Sequence, residues 1–257
     1  MNQPPHHHGP ATLRVAAAGD IHCREGRAEE AERAFDRLED PLDLVLLAGD
    51  LTAHGEPGEA AVLASACQRT DAPVFAVLGN HDWHLGRQDE ITAILTEAGV
   101  RVLERDWVIH QAPDAEVGIV GTKGFVGGFA GSHLSDFGEP ALRRLYAETS
   151  DEVDALHRGL YDVATCPFRI VLLHYSPAAA TLEGEPPGIW TFLGTDRLAA
   201  PILEHGPDLV LHGHAHHGSF EARIGDCPVY NVSVPVIGRD FWRIELKTSE
   251  VPVSPVH

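Results

Sequence analysis

The chain has 257 residues, 44% of them hydrophobic, and a formal net charge of −19 with histidine neutral. Length and composition exclude a disordered chain and suit one large α/β domain. The acidic balance excludes broad non-specific binding to nucleic acid or to an anionic membrane.

Residues 1–10 are rich in Pro and Gly, hold His6, His7 and His8, and read as a disordered tail. Residues 13–18 form an apolar run that ends in Gly19-Asp20. A polar stretch over 25–38 follows, with Ala31, Phe35 and Leu38 at helical spacing. A second apolar run, 42–48, ends in Gly49-Asp50. Another helical stretch leads to Pro73, and the run 74–78 ends in Gly79-Asn80. Continuous apolar strands separated by helices predict βαβ units and a buried, largely parallel sheet. Ligands of such sheets bind beyond the carboxyl ends of the strands. Asp20, Asp50 and Asn80 therefore fall on one edge.

Residues 101–109 read as a strand region and 117–121 as a short strand. The Gly-rich segment 122–132 reads as a loop. Residues 140–160 have helical spacing, 168–173 form a strand running into His174, and 196–204 read as a helix. A strand over 208–211 runs into a His/Gly turn. The stretches 219–224, 228–234 and 241–246 alternate and predict antiparallel strands, and 251–257 reads as a tail. The expected architecture is a single α/β domain over 11–250, an α/β/β/α sandwich of two mixed sheets flanked by helices.

Five segments follow predicted strands: Asp20-Ile-His22, Gly49-Asp50, Gly79-Asn80-His81-Asp82, His174, and His212-Gly-His214-Ala-His216. Their oxygen and imidazole donors suit zinc, manganese or iron. Asp20 and His22 share one face of an extended segment, as do His214 and His216. A carboxylate such as Asp50 can bridge two ions about 3.5–4 Å apart.

This ordered set, D-x-H, G-D, G-N-H-D, H and G-H-x-H, resembles the calcineurin-like metallophosphoesterases, in particular the bacterial members of the class III cyclic-nucleotide phosphodiesterase type. The resemblance implies a site of two metal ions, manganese first and iron or zinc as alternatives. Asp20, His22 and His216 would hold the first ion, and Asn80, His174 and His214 the second, with Asp50 between them. It implies that His81 protonates the leaving group. Asp82 is expected to orient His81. His212-x-His214 also satisfies H-x-H, but the family places Gly before the first ligand, which selects His214 and His216. His212 then becomes a neighbour of the site and a candidate for substrate contact. In the Gly-rich loop, Lys123, Phe125 and Gly127 are candidates for substrate contact through a cation and exposed amides.

The expected reaction is hydrolysis of a small phosphodiester, with a phosphomonoesterase or a non-catalytic scaffold as the alternatives. Trp83 stands after Asp82 where protein-phosphatase relatives carry a substrate-binding Arg. Cys23, Cys67, Cys166 and Cys227 form no C-x-x-C pair and are expected as free thiols in a reducing compartment. No apolar run suits a bilayer, so a cytoplasmic protein without a membrane partner is expected. No residue pattern sets an oligomeric state.

Overall fold

In the computed structural model, which describes residues 11–38 and 41–248, two sheets lie face to face. The tails expected at 1–10 and 251–257, with His6, His7 and His8, lie outside the described residues. The first sheet takes β1 (Thr12–Ala18), β2 (Leu44–Ala48), β3 (Val74–Val77) and β4 (Arg101–Val102), all parallel. The second takes β5 (Asp106–Gln111), β6 (Glu116–Gly121), β7 (Phe168–Leu172), β8 (Leu209–His212), β9 (Glu221–Ile224) and β10 (Cys227–Asn231). Its order is β5-β6-β7-β8-β10-β9, parallel across the middle and antiparallel at both edges. A last strand, β11 (Trp242–Lys247), returns to the first sheet and pairs antiparallel with β1.

The strand runs are apolar throughout because both faces are covered. In β1, Leu13, Val15 and Ala17 face the second sheet, whereas Ala16 and Ala18 face the outer helices. In β2 the alternation is the same, with Leu44 and Leu46 inward and Val45 and Leu47 outward. Each leucine so buried contributes about 1.5–3 kcal/mol. The outer face of the first sheet is covered by α1 (Ala28–Asp36), α2 (Pro57–Cys67) and α3 (Gln88–Glu97). The second sheet is covered mainly by α4 (Pro140–Asp162) and α6 (Ala199–His205), which bury Leu156, Leu160 and Ile202 against Val171 and Val210. Two single-turn helices, α5 (Trp190–Leu193) and α7 (Val234–Ile237), lie in the connections.

The layering follows the sequence reading, and three particulars differ. The segment 101–109 is two strands in different sheets, because Arg105 turns at φ 55° and sends the chain across the sandwich. The C-terminal strands do not form one antiparallel set. β9 and β10 pair antiparallel, β10 runs parallel to β8, and β11 crosses to β1. The strand expected to reach 234 stops at Asn231, and Pro235 sits in the first turn of α7. Helix α3, which buries Ile91 and Leu95 one turn apart, has no counterpart in the sequence reading. All four cysteines are buried and free. Among the described residues, no helix is long and apolar enough to cross a membrane.

Candidate metal centre

The carboxyl ends of β1, β2 and β3 meet those of β7 and β8 at one end of the sandwich. Backbone hydrogen bonds tie the turns together there. Asp20 N donates to Gly49 O (2.9 Å), His22 N to Asp50 O (3.0 Å) and Gly213 N to His174 O (3.2 Å). Among the described residues, the non-glycines at positive φ are Asp20, His22, Asp50, His214 and Arg105. Four of these five belong to the strand-end segments. A non-glycine in this region costs about 1–3 kcal/mol and persists only where its surroundings hold it. Two glycines allow the turns to approach closely. A Cβ on Gly79 would collide with the Asp50 carboxylate, and one on Gly213 would stand 2.5 Å from Asp20 Oδ2.

Two groups of donor atoms result. Asp20, His22, Asp50 and His216 offer atoms that all lie within 4.8 Å of one another, and so do Asp50, His174 and His214. Asp50 belongs to both. Its Oδ2 is 3.8 Å from His22 Nε2, and its Oδ1 is 3.3 Å from His174 Nε2. Asn80 joins the second group, with Oδ1 2.9 Å from the same His174 nitrogen. The seven residues picked from the strand ends are thus brought to one place.

The tautomers bear on what this place can hold. His174 is fully buried and donates from Nδ1 to the Ala48 carbonyl (2.9 Å), while burial lowers its pKa. The neutral ring therefore points a bare Nε2 at two oxygen acceptors. His214 uses Nε2 on the Phe192 carbonyl (3.2 Å), and burial pushes its pKa down to about 4. His22 is lowered as well, chiefly by burial. Converging lone pairs of this kind repel one another unless a cation sits between them. The carboxylates tell the same story. Burial and the nearby charge of Asp20 raise the Asp50 pKa. Burial opposes the charge of Asp20 too, yet the His216 hydrogen bond (2.9 Å), the His216 charge and the His214 amide hold it below the ordinary range. The ion-pair partners of both carboxylates are imidazoles. Mixed carboxylate, amide and imidazole donors converging in this way fit a pair of bridged divalent ions.

His81 stands beside the first group. Its Nδ1 donates to the Ala53 carbonyl (2.7 Å), and its Nε2 lies 3.9 Å from Asp50 Oδ2. The ring is half exposed and its centroid is 4.5 Å from that of His22. The expectation that Asp82 orients this ring is not met. Asp82 is fully buried and accepts from the amides of Leu51, Thr52 and Gly79 and from the Thr52 hydroxyl, at 2.6–3.1 Å. It ties the turn after β2 to the turn after β3, and the Ala53 carbonyl does the orienting.

The candidate substrate contacts also sit differently. His212 is fully buried beneath the site, with Nδ1 on the Gly213 carbonyl (2.8 Å) and Nε2 on the Thr181 hydroxyl (2.9 Å). The Gly127 and Gly128 amides are spent on the carbonyls of Thr191 and Gly194, so the loop offers no amide cradle there. Lys123 is buried and folds back to donate to the Gly124 carbonyl (3.1 Å). The Phe125, Tyr175 and Trp83 rings surround its Nζ at 4.4, 5.3 and 5.6 Å. Tyr175 also packs 4.5 Å from the His214 ring. Glu152, on α4, was not singled out. Its buried carboxylate binds Arg105, Thr122 and the Gly124 amide and anchors this loop. A helical Glu carries no sequence signal for such a role.

Comparison with known proteins gives three results. The family described as calcineurin-like phosphoesterase matches residues 13–218. An uncharacterized metallophosphoesterase of Aquifex aeolicus is 33% identical over 102 residues, which are 37% of this chain and 38% of that protein's length. The fold is shared with a phosphopantetheinyl hydrolase of Mycobacterium tuberculosis, at TM-score 0.67 and 16% identity over 96% of this chain and 99% of that one. It is also shared with a putative 5'-nucleotidase of Staphylococcus aureus, at TM-score 0.58 and 15% identity, covering 93% of this chain and 52% of that one.

Proposed function

The chain belongs to the calcineurin-like phosphoesterase family, and we propose that it hydrolyses a small phosphodiester, with His81 as the general acid. The family makes it a metal-dependent hydrolase of phosphate esters. In our reading, Asp20, His22 and His216 would hold one ion, Asn80, His174 and His214 would hold the other, and Asp50 would be shared between the two groups. When bound, the ions supply a Lewis acid for the phosphoryl oxygens and an acidified water as nucleophile. The observation that carries this reading is the shared carboxylate of Asp50, with imidazole lone pairs aimed at it from both sheets.

The chain's own groups prepare the rest. The Ala48 carbonyl fixes the His174 tautomer and the Phe192 carbonyl fixes that of His214. The Ala53 carbonyl holds Nδ1 of His81, so Nε2 is the atom that delivers a proton to the departing oxygen. Lys123 is buried, with its ammonium committed to the Gly124 carbonyl and the Phe125 ring. A site whose cation charge comes from its ions alone suits a singly charged diester better than a doubly charged monoester. Manganese is our first choice of metal, with iron and zinc behind it. Four buried thiols fit a reducing setting such as the cytoplasm.

The test compares bis-p-nitrophenyl phosphate with p-nitrophenyl phosphate, using protein stripped by chelator and then given manganese. The expected outcome is no turnover without metal and a preference for the diester with it. Preference for the monoester would make the chain a phosphatase. Inactivity with manganese, iron and zinc alike would favour a scaffold.

A further inference from the structure

Beside His22, on the side away from the second donor group, lies a cavity of about 470 Å³ between α1 and the segment that leads into β11. That volume falls within the roughly 300–1,000 Å³ of small-molecule sites. Its base is apolar, formed by Ala34, Phe35 and Phe241, the two rings meeting edge to face at 5.1 Å. Its rim is charged. Glu30 pairs with Arg27 (3.5 Å) and Asp240 with Arg37 (2.8 Å), which accounts for both acids. Arg24, exposed on the same rim, has no carboxylate partner among the described residues.

His22 is the wall shared by this cavity and the donor cluster, and its ring lies 4.5 Å from that of His81. His81 therefore stands one imidazole ring away from the cavity. We propose that the cavity receives the departing arm of the ester, an aryl or branched alkyl alcohol bearing an acidic group that pairs with Arg24. The inference rests on the phosphoesterase reading and names the class of substrate for it. Hydrolysis breaks the P–O bond to this arm, water supplies the oxygen that replaces it on phosphorus, and the arm leaves as its alcohol with the proton from His81. The acidic surface of the chain disfavours additional negative charge on a substrate, so a preference for an acidic arm has to come from a local group.

The test uses methyl phenyl phosphate and methyl 3-carboxyphenyl phosphate, whose leaving phenols differ little in basicity, with manganese-loaded protein. The expected result is a kcat/KM about fivefold higher for the carboxylated ester, expressed in KM, at low salt. Arg24→Gln should erase that ratio, and Ala34→Trp, which fills the cavity, should raise the KM of both aryl esters about tenfold or more. Binding of 3-methoxybenzoate to metal-free protein, followed by NMR titration, should weaken in both variants. Equal kcat/KM for the two esters, or a ratio that survives Arg24→Gln, would overturn the proposal. Inactivity of the loaded protein on every ester would instead defeat the phosphoesterase reading. The benzoate titration then decides the cavity on its own, because binding that ignores both substitutions rules it out.

Discussion

Asp50 concentrates the demands placed on a single residue. It sits at φ 50°, lies against Gly79, takes the His81 amide on Oδ1 at 2.8 Å and faces imidazoles from both sheets. Asp50→Asn keeps the shape but exchanges a charged acceptor for a donor. The expected outcome is loss of bound metal by elemental analysis and a fall in kcat of at least about a hundredfold. Full activity would remove Asp50 from the centre. His81→Ala should keep both ions yet slow esters of poor leaving groups by about 100-fold more than p-nitrophenyl esters, which need little protonation. Equal losses on both would count against His81 as the acid. These residues were legible in the sequence because each follows an apolar run and a glycine. Asp82 was legible as a member of the motif but not in its role, because four donors converge on it from turns about 30 residues apart in the chain. The carbonyls of Ala48, Ala53 and Phe192 were out of reach for a similar reason. Any residue supplies a carbonyl, so its identity says nothing about whom it serves.

The crossing between the sheets shows what one connection must satisfy. Glu104 and Arg105 lie between β4 and β5, where the chain leaves one sheet for the other. Arg105 is held by Glu148, Asp151 and Glu152 of α4. Glu104 accepts the Leu78 amide at 3.0 Å. Burial, opposed by that amide and by Lys123 and aided by Glu152, pushes its pKa up to about 7. A carboxyl whose folded pKa lies above its unfolded value binds protons preferentially in the folded chain. Its contribution is complete below about pH 4.5 and is lost as pH rises through about 7. Glu104→Gln, which keeps the acceptor for Leu78, should therefore leave Tm near the wild-type value at about pH 5 and raise it at about pH 8. Equal shifts at both pH values would show that Glu104 does not titrate in this window. The apolar strands were legible here and the switch of sheets was not. Residues 101–109 look continuous in pattern, and only the positive φ of Arg105 divides them. Helix α3 shows in the sequence only as one i, i+4 pair, Ile91 and Leu95, after acidic first-turn residues, which is a short signal for a helix.

At the scale of the whole molecule, a net charge of −19 surrounds a site that expects an anion. Long-range repulsion should slow encounter at low ionic strength. The kcat/KM for an anionic diester is therefore expected to rise about twofold between about 10 and 150 mM salt, the reverse of an enzyme with a basic groove. A fall over that range, read in steady-state assays, would reveal a local cationic approach that outweighs the global charge. The sandwich of two helix-covered sheets itself was legible, since continuous apolar strands need cover on both faces. The return of β11 to β1 was not, because nothing in an alternating strand names its partner.

The hydrogen bond from His214 N to Asp20 Oδ2 closes a loop of 194 residues at 2.9 Å. Contacts so distant along the chain form late in folding, after the intervening strands have paired. A nascent chain that has emerged only as far as α4 carries Asp20, His22, Asp50 and Asn80 without a single partner from β7 or β8. The centre thus cannot template the fold. It is completed by it, and in the proposed reading capture of the second ion would report that synthesis has passed residue 214 and that both sheets have docked.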